Sequence, residues 1–307
     1  MQKIFIAGIK GFVGQSLSKA LRDNDFEIVG LTRGVDGAST QDNIKILQWD
    51  GKNISSDLRK ELNSSDIFVH LFQSSFGADA EEQQWEGIEN TAKPTLNLLK
   101  ALEPQNVLKH FIYFSSGGTV YGDNKKSIPF TEEQGTYPKS VYGVIKLFME
   151  NIISVNLPAH TKLHVIRPSN IYGVGQRNDR PIGVIQKNLD AISKGKNVLI
   201  FGTGSAMRDY IHIDDVVAAI KGLLNNPPSR QSIYNLSSGN SVSLNELLSS
   251  IEEAIGQKFG VDYIEQPQHQ YDNVFLSNKK FSVDFNWSPE TLLVDGIREQ
   301  WKNLKGL

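Results

Sequence analysis

Through the first half of the chain, short runs of apolar and β-branched residues alternate with helix-length segments whose apolar positions recur every three or four residues. KIFIAG, FEIVGLT, IKILQWD, DIFVHLF and HFIYFSS read as strands, and residues 12 to 23, 55 to 64 and 80 to 103 as helices between them. The strand runs are nearly all apolar rather than alternating, as a sheet covered on both faces requires. Strand, helix, strand in repetition predicts right-handed crossovers and a parallel sheet, an α/β fold. After residue 140, VYGVIKLFMENIISV reads as one long helix and KLHVIRPSNIYG as strand then loop. Beyond that, Pro181, Pro227, Pro228 and glycines 195, 202 and 204 cut the pattern into shorter elements, from which SLNELLSSIEEAIG and PETLLVDGIREQWKNL stand out as helices. No repeat, low-complexity tract or linker interrupts the chain, so its C-terminal part is expected to form a smaller lobe packed on the sheet.

A length of 307 residues allows about two domains. With 32 Lys+Arg against 34 Asp+Glu the net charge is −2, and no basic run exceeds two residues, which argues against nucleic acid as a partner. The absence of cysteine removes disulfides, thiolate metal ligands and thiol nucleophiles. No stretch approaches 18 apolar residues and the chain starts directly in a strand-like run, so the expectation is a soluble, cytoplasmic protein without a membrane span.

Gly8-Ile9-Lys10-Gly11-Phe12-Val13-Gly14 follows the first strand and opens the first helix. Glycines there permit a tight turn and close backbone approach to a pyrophosphate, whose charge the free N–H groups of a helix start favour; Phe12 and Val13 supply those groups. At the end of the second strand an acidic residue would accept hydrogen bonds from a ribose. This chain instead reads Leu31-Thr32-Arg33-Gly34, which favours NADP(H) over NAD(H). Asp50, closing the next strand, is a candidate for the adenine amino group. Tyr142 and Lys146 are four residues apart in the long helix, on one face, where a cation favours phenolate and the pair can exchange a proton with a hydroxyl or carbonyl. A second YxxxK, Tyr121 to Lys125, runs into Gly-Asp-Asn and loses helical spacing.

Taken together, GxxGxxG, HFIYFSSGGTVYGD, YPKSVYGVIK, VIRPSNIYGVGQR and FGTGSAMRDYIHIDDVV resemble the extended short-chain dehydrogenases acting on nucleotide sugars, the UDP-galactose 4-epimerase-like group. The resemblance runs from Met1 to about Trp301. It implies a Rossmann-type doubly wound parallel sheet with a smaller C-terminal α/β substrate lobe: residues 1–167 binding NADP, with 210–235 returning to them, and 168–209 with 236–307 binding substrate. It makes Tyr142 the acid/base, and gives Lys146 the nicotinamide ribose and a lowering of the tyrosine pKa. It also implies a cytoplasmic homodimer formed through the helices at 80 to 103 and 140 to 155, with Leu96, Leu99, Leu147 and Phe148 on their outward faces.

The family places a Ser or Thr three residues before the Val of VYG, and here that position is Gly117. Ser116, or alternatively Thr119, must supply the hydroxyl. On the substrate side the resemblance assigns the diphosphate to Asn170 and Arg208, the latter as a bidentate clamp, and base stacking to Phe201. Its Arg-x-x-Asp pair stands here as His269 and Asp272. Asp209, Asp214 and Asp215 read as capping carboxylates at a strand-to-helix join, with no metal implied, and His70 as a strand-end residue near the cofactor.

The activity implied is an NADP(H)-dependent 4-ketoreductase of a UDP- or dTDP-linked 4-keto-(deoxy)sugar. A nucleotide-sugar 4-epimerase uses the same residues and is the alternative. A 4,6-dehydratase lacks support, because Gly118-Thr119 stands where its Asp-Glu pair would be. A non-catalytic NADP sensor is the remote reading.

Overall fold

The structure is a computed structural model describing residues 1–22, 26–34, 37–42, 44–73, 84–124, 128–177, 183–265 and 273–307. The chain divides into two compact units, Met1–Ser115 with Val144–Ile166 and Leu223–Ile233, and Ser116–Gly143 with Arg167–Gly222 and Tyr234–Leu307.

The first unit is organised by an eight-stranded sheet. Its strands are β1 (Gln2–Ala7), β2 (Phe26–Arg33), β3 (Gly37–Gln41), β4 (Ile44–Trp49), β5 (Ile67–His70), β6 (His110–Phe114), β7 (Lys162–Pro168) and β11 (Ser232–Leu236), in the order β11-β7-β6-β5-β1-β2-β4-β3. β1 pairs in parallel with both β2 and β5, so the chain winds first to one side of β1 and then to the other. A crevice opens at such a reversal, beyond the C-terminal ends of the two central strands, here Ala7 and His70. The apolar strands predicted from sequence fill the middle of the sheet: Ile4, Phe5, Ile6, Ile67, Val69, Phe111 and Ile112 are buried, because helices cover both faces. Those helices are α1 (Phe12–Leu21), α2 (Ser56–Asn63), α3 (Gln84–Lys100) and α5 (Val141–Asn156), the last entering this unit at Val144. β3 is an addition to the expected strands. Its sequence, GASTQ, is wholly exposed and pairs antiparallel with β4.

The second unit begins with the short helix α4 (Gly117–Val120). It then carries β8 (Asn170–Tyr172), α6 (Val184–Ser193), β9 (Val198–Phe201), β10 (Met207–His212), α7 (Ile213–Asn225), β12 (Ser241–Ser243), α8 (Leu244–Ile255), β13 (Val261–Ile264), β14 (Asn273–Val274), α9 (Lys279–Phe285) and α10 (Leu293–Lys305). β10 is the hub, pairing with β8, β12 and β14, while β9 and β13 form a separate parallel pair. Apolar residues of α6, α8 and α10, among them Leu189, Leu247, Ile251 and Ile297, close a core with Tyr172 and Tyr210. The α8 start predicted from SLNELL is a capping box. Ser243 Oγ accepts from the Glu246 N–H and the Glu246 carboxylate accepts from the Ser243 N–H, satisfying two donors that a helix start leaves unpaired.

One expected surface assignment is corrected. Leu99 does not face outward but is buried, at 3% exposure. The exposed apolar residues of α5 are Val144, Phe148 and Val155. Among the described residues no helix is long and apolar enough to cross a membrane.

Candidate active site

In the first unit the strand-to-helix turn is as tight as the glycine spacing demands. Gly8 takes φ +93°, and a Cβ there would lie 2.9 Å from the Phe72 backbone nitrogen. A Cβ on Gly14 would lie 2.3 Å from the Gly8 carbonyl oxygen, so helix and turn touch backbone to backbone. The turn is held by Gly11 N–H donating to Gly8 O and Gly8 N–H donating to Leu31 O, both at 2.9 Å. No side chain caps α1 at Gly11. Its first-turn N–H groups, those of Phe12 and Val13 included, therefore remain available to an anion at the positive end of the helix. A dinucleotide pyrophosphate fits this turn by size and by charge.

β2 ends with Thr32 and the exposed Arg33 beside Trp49 of β4. Among the described residues Arg33 makes no ion pair, and the strand's last residues, Leu31 to Arg33, include no carboxylate. Asp50 follows β4, and its loop uses both carboxylate oxygens: Oδ1 accepts from the N–H groups of Lys52 and Asn53, and Oδ2 from Asn53 Nδ2. These bonds hold its carboxyl below the ordinary range and give Asp50 a turn-forming part alongside any contact with adenine.

His70 closes β5 among Phe72, Phe111 and Tyr113. Its Nε2 meets Thr95 Oγ1 at 2.9 Å, and that hydroxyl donates to Thr91 O, so Nε2 carries the ring proton. Burial, followed by the nearby Lys146 charge, pushes its pKa down to about 3.

Lys146 is buried on α5, with Nζ donating to Phe114 O at 2.8 Å and lying 5.3 Å from the centre of the Tyr113 ring. Burial pulls its pKa down to about 7, against the pull of Glu150. Sequence reasoning passed over Glu150, although it stands one turn beyond Lys146 in the same i,i+4 series. It is buried and accepts a hydrogen bond from Ser115 Oγ.

In the second unit, Ser116 caps the start of α4 in extended conformation, and its hydroxyl hydrogen-bonds the Tyr142 phenol. Burial pushes Tyr142 above the ordinary tyrosine range, with the Ser116 bond opposing. The Thr119 hydroxyl is buried on α4.

The packing explains why residue 117 is glycine. A Cβ there would lie 2.3 Å from Leu276 Cδ1 and 2.8 Å from the Arg167 carbonyl oxygen. The Leu276 methyl can swing aside, but the backbone carbonyl cannot. Gly117→Ser is therefore expected to destabilise the protein by about 1–3 kcal/mol through overpacking. Gly118→Ser is the control, since its added Cβ would have Ser116 Oγ as nearest neighbour, at 4.0 Å. Thermal melts should separate the two variants, and equal melting temperatures would refute the steric account.

Of the substrate-side candidates, Asn170 lies opposite Tyr210 in the β8–β10 pairing, with Nδ2 donating to Asp209 O at 2.9 Å. Arg208 NH1 donates to Met207 O at 2.8 Å. Phe201, 40% exposed, lines a 320 Å³ cavity with Thr203, Gly204, Ser205, Ala206, Met207 and Asn273. His269 and Asp272 lie outside the described residues. Asp209 has a structural part that its sequence context only hinted at. Buried to 1% exposure, its Oδ1 accepts from Ser169 Oγ at 2.6 Å and from the Ser238 N–H at 2.9 Å, tying the segments after β7 and β11 to β10. Asp215 accepts from the N–H groups of Glu290 and Thr291, holding the segment ahead of α10 to the first turn of α7.

The profile of the NAD dependent epimerase/dehydratase family matches residues 4–237. The chain belongs to that family. Among curated relatives of this family member, a putative UDP-glucose 4-epimerase of Methanocaldococcus jannaschii is 28% identical over 299 residues, 96% of each chain. A dTDP-4-dehydro-6-deoxyglucose reductase of Escherichia coli is 27% identical over 311 residues, 98% of this chain and 97% of the relative. Among solved structures, the UDP-glucose 4-epimerase of Thermotoga maritima matches with TM-score 0.87 and 24% identity over 99% of both chains, a likeness of fold. The family supplies the chemistry for which the α1 turn is shaped: its enzymes depend on NAD-type cofactors.

Proposed function

We propose that the protein is an NADP(H)-dependent ketoreductase acting at C4 of a UDP- or dTDP-linked 4-keto-(deoxy)sugar. The observation that carries this reading is the end of β2. Arg33 is exposed there, without an ion pair among the described residues, where a ribose-binding carboxylate would mark NAD, and its guanidinium suits a 2′-phosphate. The protonation of Tyr142 supports the same direction of reaction. A phenol held above its ordinary range stays protonated at neutral pH, the state needed to give a proton to a carbonyl oxygen.

When bound, the cofactor supplies hydride. Gly8, Gly11, Phe12, Val13 and Gly14 would hold its pyrophosphate, Thr32 and Arg33 the adenosine phosphate end, Asp50 the adenine, and Lys146 the nicotinamide ribose. Tyr142 gives its proton to the developing alkoxide. Ser116 donates to the phenolate oxygen as it forms, or to the substrate oxygen itself, with Thr119 as the alternative hydroxyl. Asn170, Arg208 and His269 would grip the diphosphate, Asp272 a ribose, and Phe201 in its cavity the base. The relatives support a nucleotide sugar as substrate, since those named above are an epimerase of UDP-glucose and a reductase of a dTDP-linked sugar. The first of them keeps a 4-epimerase as the second reading, and a homodimer through α3 and α5 remains part of the proposal.

The test is an assay of the purified protein with UDP- and dTDP-sugars. Oxidation of NADPH by a dTDP- or UDP-4-keto-6-deoxysugar is expected, with Arg33→Ala raising the KM for NADPH about tenfold while leaving that for NADH near its original value. Interconversion of UDP-glucose and UDP-galactose without added cofactor, and no NADPH oxidation, would overturn the reductase reading in favour of the epimerase.

A further inference from the structure

His212, Asp214 and Glu299 come together in the second unit, from the end of β10, the first turn of α7 and the middle of α10. His212 is 2% exposed, yet among the described residues its Nε2 has no hydrogen-bond partner. Nδ1 accepts only a long bond, 3.4 Å, from the Asp214 N–H. A buried polar nitrogen left in this condition is costly unless something binds it. Nε2 faces Glu299 Oε2 at 3.8 Å, and Nδ1 lies 3.7 Å from Asp214 Oδ2. One ring nitrogen and one oxygen of each carboxylate fall within 4.8 Å of one another.

The imidazole is fixed and the carboxylates are free to adjust. The ring packs edge-on to Tyr172, centroids 5.2 Å apart, and fits because residues 173 and 296 are glycines. A Cβ on Gly173 would lie 2.9 Å from Nε2, and one on Gly296 2.9 Å from Cδ2. Asp214 and Glu299 are exposed, and neither pairs with a lysine or arginine among the described residues. Their acidic neighbours are already engaged: Asp215 by the N–H groups of Glu290 and Thr291, and Asp295 by Arg298. The surroundings are negative enough that Asp215, Asp295 and Glu299 add to burial in raising the Tyr172 phenol.

We propose that His212 Nε2, Asp214 and Glu299 bind one divalent cation of borderline softness, a structural clamp between the β10–α7 junction and α10. One imidazole and two carboxylates suit zinc, cobalt or nickel better than magnesium or calcium, which prefer all-oxygen sites. Bond lengths near 2.0–2.2 Å place tetrahedral ligands roughly 3.3 Å apart, so the two exposed carboxylates need only close in on the fixed ring, and water fills the fourth position. Coordination at Nε2 puts the ring proton on Nδ1, so the long contact with the Asp214 N–H is given up when the ion binds.

The experiment uses the full chain, stripped with a chelator and freed of it, and needs neither substrate nor cofactor. Zinc titration by calorimetry is expected to give one ion per chain. Zinc at about a hundredfold above Kd should raise Tm by about 3–5 °C, with no rise in magnesium. The double variant Asp214→Asn/Glu299→Gln changes only exposed side chains and should fold normally; it is expected to lose at least tenfold in zinc affinity, and His212→Gln likewise. No zinc binding, or binding undiminished in the double variant, would overturn the proposal and assign any bound zinc to other histidines.

Discussion

Tyr142→Phe is expected to lower kcat by about 10²–10⁴ while leaving the Kd for NADPH within about twofold of its original value. The range is what one positioned proton donor contributes. The split between turnover and binding follows from where the groups stand. Phenylalanine fills the same volume one turn before Lys146 on α5, removes only the hydroxyl, and leaves the Lys146–Phe114 bond and the Gly8–Gly14 turn untouched. Stopped turnover with intact cofactor binding, measured by NADPH fluorescence titration, also distinguishes an enzyme from a dinucleotide sensor. A variant that turns over at the original rate would remove Tyr142 from the chemistry. Ser116 makes the expectation more specific: its hydroxyl bonds the phenol, so Ser116→Ala should give a smaller loss in the same parameter.

Mild acid is expected to cost the protein about 3 kcal/mol of stability between pH 7 and pH 5. His70 and His164 are 1% and 0% exposed, and burial pushes their pKa values down to about 3 and about 4, with Lys146 adding to the first and His110 to the second. Unfolded, both titrate near 6.5. A group whose pKa is depressed by folding gives its full stabilisation above the unfolded value and loses it as pH falls toward the folded one, because the unfolded chain alone takes up the proton. At pH 5 each histidine is about 1.5 units below its unfolded pKa, about 2 kcal/mol apiece. Asp209 opposes them. Burial raises it to about 6, so between pH 7 and 5 the folded state gains a proton that the unfolded one does not, returning about 1 kcal/mol. The net loss is a large share of a typical stability. His164 Nδ1 meets Ser232 Oγ at 2.8 Å, but its Nε2 meets His110 Nδ1 at 3.0 Å, so a charged His164 ring faces the neighbouring imidazole in a buried place. Chemical denaturation at the two pH values checks the prediction, and His164→Asn should flatten the dependence. Stability unchanged or greater at pH 5 would refute it.

Strong periodicity made the helices legible. Residues 12 to 23 became Phe12–Leu21, residues 55 to 64 became Ser56–Asn63, and the helix carrying Tyr142 and Lys146 runs Val141–Asn156. The glycine turn was legible because its spacing answers to one geometry. What escaped notice lacked a local signal. Glu150 is an ordinary helical glutamate until burial places it beside Lys146 and Ser115. The reason for Gly117 lies in residues 50 and 159 positions further along, Arg167 and Leu276. The unpaired nitrogen of His212 depends on glycines and carboxylates scattered from 173 to 299. Leu99 was misplaced on its helix because an apolar residue reads alike on either face until a neighbour is known.

β3 left no apolar trace for the same reason that it is useful. A mostly parallel sheet would otherwise end at β4, offering a row of unsatisfied amides and carbonyls beside apolar Ile44, Ile46 and Leu47. Gly37–Gln41 covers that row with small and polar residues, so the border that meets solvent is short and unattractive to a foreign strand. Five unremarkable residues thus give the sheet a short, polar border in place of the apolar edge of β4.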